Sequence, residues 1–418
     1  MSGLRAGSRS SCAVLVLVVG VVALSGCDGG GQPALAPPSP LPGNTVVRTL
    51  LEEALAESNS PALAAAIVSR DGDEVADVVG VLRYGEPEPA TPQSLFHIAS
   101  CTKAMTATLC AILIQQGVLG WDTTVGALLP DLLGPHPDEF RRVTVHQLLT
   151  HQAGIIPCVH GTLTPGSPDL GWSEILRFEA CHGERRDVDL RREFVKCVLA
   201  RQRWDRPTYS NAGYTVAAAM AEKVTRSSWE DLMASRLLTP LRMTSADYGW
   251  PPTCEAGQPW GHRMVNGTPQ PSSGASEDRM PRSLRPAGGL HCTIHDLASF
   301  AGMHLRGLTG GGEMLPSHVI AFLHEPAGWV TPAGAMHYGC GWIAGTVAGL
   351  PVTTHTGNTD FFTAQMTIGR DVGWAVVVAT NRGLGGLEPC SLVTEHLLRL
   401  AAEVHVADAP VANEKRSG

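Results

Sequence analysis

Lysine is almost missing from this chain. Among 31 lysines and arginines in 418 residues, only Lys103, Lys196, Lys223 and Lys415 are lysines. Arginine keeps its proton in proteins, whereas a buried or crowded lysine can release one. Chemistry that needs a free amine therefore has few candidates. Excess positive charge is missing as well. The net charge is -8, without the basic patch that marks nucleic-acid binding. Heptads, internal repeats and long charge runs are absent, which excludes coiled coils and solenoids. There is no Gly-x-Ser-x-Gly elbow, no His-Glu-x-x-His pair, no phosphate-cradling glycine loop and no Cys-x-x-Cys spacing. These gaps argue against an α/β-hydrolase elbow, a zinc peptidase helix and a nucleotide site. No cofactor and no metal is expected.

What is present begins at the N-terminus. Arg5 and Arg9 precede an apolar run from Ala13 to Leu24. That run is short for a membrane-spanning helix but right for the apolar region of a signal peptide. It ends in Leu24-Ser25-Gly26-Cys27, which resembles the cleavage box of bacterial lipoproteins. The resemblance implies a signal peptide over 1–26, lipidation of Cys27, and an exported protein held to a membrane by its lipid anchor. Residues 27–44 are rich in Gly and Pro, as a flexible tether should be. A polar tail follows residue 405.

Export bears on the cysteines. Apart from Cys12 and Cys27 there are nine, so at least one has no partner within the chain. Cys158 with His160, and Cys181 with His182, could suggest zinc. A disulfide beneath a long loop is the reading that an oxidising compartment favours.

The chain has room for a large core. Helical spacing marks Val47–Ala56. Ala62–Val68 and Val75–Leu82, split by Asp71-Gly72, read as a hairpin. Ser100–Gln116 is apolar nearly all round and reads as a buried helix with Ser100 at its start. Further helices are expected at Val145–Thr150, Leu190–Arg201, Ala212–Thr225 and Ile294–Leu305. The stretches Ile156–Arg186 and Gly257–Pro286 read as irregular. Loops of that length are usually functional. Strand patterns return at Tyr338–Ala344, Pro351–His355, Phe361–Ile368 and Trp374–Ala379, before a helix from Ser391 to Glu403. The two chain ends thus supply the sheet and its flanking helices, and the middle supplies a mainly helical insert. The expected class is α+β, with an antiparallel sheet flanked by helices rather than a doubly wound parallel one.

The chemistry starts at Ser100 and Lys103. Three residues apart on a helix, they share a face. Acyl transfer through a covalent intermediate needs a nucleophile, a base and donors for the oxyanion. The neighbours of Lys103 are Cys101, Thr102, Ala104 and Met105, which are neutral and would lower an amine's pKa by desolvation. Tyr209-Ser210-Asn211 and His355-Thr356-Gly357 follow in order. The set resembles the serine β-lactamase and penicillin-binding-protein superfamily. Tyr-Ser-Asn as second motif is similar to the branch of class C β-lactamases, soluble D-Ala-D-Ala carboxypeptidases and esterases. Val143–His151 before Ala153-Gly154, Pro240–Met243, Ala287–Leu290 and Tyr338–Trp342 are similar to that branch too. The likeness runs over 45–405, nearly the whole mature chain.

The resemblance implies an α/β sandwich of the β-lactamase/transpeptidase type and a serine hydrolase acting on a small-molecule or peptide substrate. It implies Ser100 as nucleophile, with Lys103 and Tyr209 sharing the proton transfers, Tyr209 as a phenolate. It implies Asn211 as a ligand of a substrate amide, and His355, Thr356 and Gly357 on the strand edging the cleft. The N–H groups of Ser100 and Asn358 would form the oxyanion hole. Two departures stand out. His355 replaces the lysine of many β-lactamases, which leaves its charge open near neutral pH. Asp360 stands where glycine is common, and either narrows the cleft or disfavours an anionic substrate. A catalytically idle relative that binds on the envelope is the alternative from another class.

Overall fold

The computed structural model describes residues 40–135, 137–158, 170–252, 257–272, 280–327, 329–330 and 337–407. The signal peptide, Cys27, most of the tether, His160 and most of the polar tail lie outside the described residues.

Helix α1 spans Asn44–Ser58 and stops at Asn59, which takes the left-handed conformation (φ 53°) common at helix ends. Strands β1 (Ala62–Ser69) and β2 (Glu74–Gly80) form the expected hairpin, with Gly72 at φ +96° in its turn. Helix α2 (Thr102–Gln115) is buried along nearly its full length. The insert carries α3 (Val145–Leu149), α4 (Trp172–His182), α5 (Asp187–Leu199) and α6 (Asn211–Thr225). Helix α7 (Ile294–Leu308) leads back to the sheet. There follow β3 (Trp329–Val330), β4 (His337–Tyr338), β5 (Ile343–Val347), β6 (Leu350–Asn358), β7 (Thr363–Gly369) and β8 (Trp374–Thr380). Helix α8 (Leu387–Ala407) completes the order.

The strands form one antiparallel sheet in the order β2-β1-β8-β7-β6-β5-β4-β3. Pairing of Leu63 with Thr380 joins the two ends of the chain. Strands β1, β7 and β8 are buried at every position, because helices cover both faces. The period of two sorts their side chains between the faces. Leu63, Ala65 and Ile67 pack with Trp374, Val47, Leu51 and Leu397 under α1 and α8. Ala64, Ala66, Met366 and Val377 face the other way, with Ala104 of α2 and Phe300 of α7.

Three sequence expectations need correction. The stretch Ile156–Arg186 holds α4, which buries Ile175 and Glu179 and whose start is tied by the Gly171 N–H to Glu174 Oε2 (3.0 Å). Its weak apolar stripe hid it, because one of the buried side chains is a glutamate. The stretch Gly257–Pro286 holds a hairpin, His262–Val265 with Thr268–Pro271. Its Asn266-Gly267 turn has both residues at positive φ, 50° and 81°. An Asn-Gly pair is a strong hairpin signal and was there to be read. Finally, the disulfide expected beneath a long loop does not form among the described residues. Cys158 is buried while Cys181 is exposed, so the two thiols occupy different environments.

Candidate active site

Ser100 lies in a single 3-10 turn, Ala99–Cys101, that runs directly into α2. The turn is held from three sides. Ile98 N–H donates to Leu290 O (3.0 Å) on the short strand Leu290–Cys292. Ala99, at φ +45°, sits in a left-handed conformation that alanine rarely adopts. Its N–H donates to Nδ1 of buried His97 at 3.2 Å. On the third side, β6 presses its backbone onto the turn at Gly357. A Cβ there would stand 2.0 Å from Ile98 O and 2.9 Å from Ser100 N. Only glycine permits this approach, which brings the next residue, Asn358, to the cleft beside Ser100.

Lys103 is wholly buried one turn further along. Its Nζ lies 3.0 Å from Ser100 Oγ, 2.6 Å from Asn211 Oδ1 and 2.8 Å from Ala287 O. Burial holds this amine well below the ordinary lysine range. A neutral amine has two N–H donors and one lone pair. Asn211 Oδ1 and Ala287 O can only accept, so both protons are directed to them. In the neutral form the lone pair would then face the hydroxyl of Ser100, 3.0 Å away. Tyr209 also hydrogen-bonds Ser100, and burial pushes its phenol far above the usual range. The phenolate implied by the resemblance is therefore disfavoured. Tyr209 is a protonated phenol beside Ser100, its ring centroid 4.7 Å from Lys103 Nζ.

Asn211 opens α6 and is pinned on every side. Its N–H donates to Pro157 O (2.8 Å) and its Nδ2 to Cys158 O (2.9 Å). The carbonyl oxygen expected to meet a substrate amide is committed to Lys103.

His355 differs most from expectation. It is buried, with Nδ1 2.8 Å from Thr356 O and Nε2 3.0 Å from the Tyr338 hydroxyl. A carbonyl only accepts, so Nδ1 carries the proton and Nε2 accepts from Tyr338. Burial lowers its pKa to about 3, so the ring is neutral near pH 7. Thr356 is half-buried on the same strand.

The cleft in front of Ser100 encloses about 210 Å³. Tyr209, Asn211, Asn358, Thr359 and Asp360 form its polar side. Ala99, Trp172, Met280, Gly288 and Leu384 form its apolar side. His355, Thr356 and Gly357 do not line it. Sequence reasoning missed Trp172, Met280 and Leu384, which come from segments with no motif of their own. The Ala287 carbonyl belongs to the Ala287-Gly288-Gly289-Leu290 segment, whose likeness to the branch was the available clue.

The chain as a whole has clear relatives. The Beta-lactamase family model matches residues 47–397. The chain belongs to the beta-lactamase family. It is 29% identical over 327 residues to "Penicillin-binding protein 4" of Amycolatopsis lactamdurans, covering 77% of this chain and 81% of that protein. A D-stereospecific amidohydrolase from Streptomyces sp. superposes with a TM-score of 0.64 at 21% identity, covering 85% of this chain and 98% of the other. A class C β-lactamase from Rhodobacter sphaeroides gives 0.64 at 19%, covering 86% and 99%. At these identities the two structures establish the family's fold, and the match to the family model carries its membership.

Proposed function

We propose that the protein is a serine hydrolase that forms an acyl-enzyme on Ser100. The observation that carries this is the buried Lys103 Nζ, held 3.0 Å from Ser100 Oγ by two carbonyl acceptors, Asn211 Oδ1 and Ala287 O. In the proposed reaction Lys103 takes the hydroxyl proton as Oγ attacks a substrate carbonyl. The N–H groups of Ser100 and Asn358 receive the developing oxyanion. Tyr209, kept protonated by burial, gives its proton to the leaving alcohol or amine and regains one from Lys103. Water then attacks the acyl carbon, its proton passing back along the same groups, and Ser100 is released.

Within this chemistry we favour neutral ester or amide substrates over β-lactams and C-terminal carboxylates. His355 is neutral and both its ring nitrogens are bonded within the protein, which leaves it nothing to offer a carboxylate. The amidohydrolase and the penicillin-binding relative support acyl chemistry without choosing between these substrates. The sequence of the first 27 residues supports export and lipid anchoring at Cys27.

The test is intact mass and turnover of the soluble domain with p-nitrophenyl butyrate and with benzylpenicillin, beside Ser100→Ala. The proposal expects ester turnover and a slow penicillin adduct, both lost in the variant. Full activity in Ser100→Ala would sink the mechanism. Lack of any adduct or turnover in the unaltered protein would favour the idle, binding relative. Rapid penicillin hydrolysis would overturn the substrate preference alone.

A further inference from the structure

His151 lies just beyond α3, in a segment of the insert that meets the Tyr209-Ser210-Asn211 motif. It is buried, and its backbone is left-handed, with φ 60°. Three contacts run from it to the neighbourhood of Tyr209. The N–H of Thr208, one residue before, donates to His151 O at 3.0 Å. The N–H of Ser210, one residue after, donates to His151 Nδ1 at 3.1 Å. The imidazole itself packs on the Tyr209 ring, with centroids 4.4 Å apart. Because Nδ1 accepts, the neutral ring carries its proton on Nε2. Burial keeps the ring neutral. A charged ring would lose the Nδ1 lone pair.

The left-handed φ has a consequence. It turns the His151 carbonyl and side chain toward one strip of backbone, so a single residue brackets both sides of Tyr209. We propose that His151 is a positioning residue that fixes the Tyr209 hydroxyl against Ser100. The proposal rests on the reading of Ser100, Lys103 and Tyr209 as an acylating site. His151 touches no reacting atom in it. It acts by removing backbone freedom from the one residue that delivers a proton to the leaving group, where a displacement of about 1 Å costs on the order of a hundredfold.

The experiment measures the single-turnover rate of Ser100 labelling by an alkyl ester, whose leaving alcohol must be protonated, in the full soluble domain. His151→Asn keeps an acceptor and tolerates the left-handed backbone. His151→Gly tolerates the backbone but has no acceptor. Each is made alone and with Tyr209→Phe. His151→Gly should slow labelling about a hundredfold, within the range for a positioned acid–base group. His151→Asn should recover at least about tenfold of that loss. In the Tyr209→Phe background, His151→Gly should cost little more, since the two residues act as one unit. An equal loss in both backgrounds, or no recovery by asparagine, would overturn the proposal. If the unaltered protein is not labelled at Ser100, the acylation reading itself has failed. Hydrogen exchange at the Ser210 amide then decides about His151. Exchange accelerated by Gly and restored by Asn upholds the clamp, and unchanged exchange refutes it.

Discussion

Among the described residues one lysine and one arginine are buried, and their surroundings send them in opposite directions. Arg191 of α5 is fully buried, with Nη2 2.8 Å from Glu222 Oε1 and 2.7 Å from Glu230 Oε2. Burial pulls its pKa down, but the two carboxylates win and raise it above the ordinary arginine value. Lys103 is buried as deeply, yet its three neighbours are a hydroxyl, a carboxamide and a backbone carbonyl. No carboxylate opposes desolvation, and the amine falls well below its ordinary range. Depth of burial does not distinguish them. The presence of a counter-charge does, and it separates a structural cation from the amine proposed as the base beside Ser100.

The comparison can be broken most severely at Lys103. Lys103→Arg keeps a cation but cannot release its proton, and the fork does not fit three convergent acceptors. Acylation of Ser100 should fall by at least about a thousandfold, read as intact-mass labelling. Arg191→Met is next. It leaves Glu222 and Glu230 in place without their cation and should cost about 3–5 kcal/mol of stability by chemical denaturation. Acylation per folded molecule should stay unchanged. Asn211→Asp sharpens the contrast by giving Lys103 the carboxylate that Arg191 has. The amine's pKa should rise by about one to three units, moving the alkaline rise of the acylation rate upward by the same amount. The rate needs the neutral amine, so the loss is largest at neutral pH.

A gradual effect, spread over several groups, concerns buried bases that carry no counter-charge. Burial lowers His97, His304 and His355 to about 3 in the folded chain, from 6.5. The unfolded chain binds the extra protons first as pH falls. The stability these groups contribute is therefore present above about 6.5 and is lost as pH drops toward 3, by about 1.4 kcal/mol per pH unit for each group. Denaturant midpoints between pH 7 and 5 should fall accordingly. His355→Gln should flatten that slope if the enzyme still folds.

Much of this was legible in the chain because its signals are local. The hairpin of β1 and β2 shows its turn, and the three-residue spacing of Ser100 and Lys103 brings them together where the 3-10 turn runs into α2. The split of the sheet between the chain ends followed from where the strand patterns lie. What was illegible depends on approach between distant segments. Nothing in the spacing says that the Ala287 carbonyl meets Lys103 Nζ, that His355 turns inward to Tyr338, or that Asn211 is committed to the base. Hydrogen-bond direction decided each of these, and direction exists only once the partners are in place. Trp172 reached the cleft through a helix whose stripe is interrupted by buried Glu179, the residue that receives the N–H groups of Arg282 and Ser283.

The central claim is that Lys103 is a neutral amine at working pH. The scarcity of lysine makes it directly measurable. With selectively labelled lysine side chains, an NMR titration of the soluble domain contains few signals, since Lys103, Lys196, Lys223 and Lys415 are all there are. Lys103→Arg assigns the one that disappears. The account predicts that this signal titrates well below the range of the others. If it titrates with them, near about 10.4, the amine is charged when the enzyme works and the assignment of Lys103 as base is wrong.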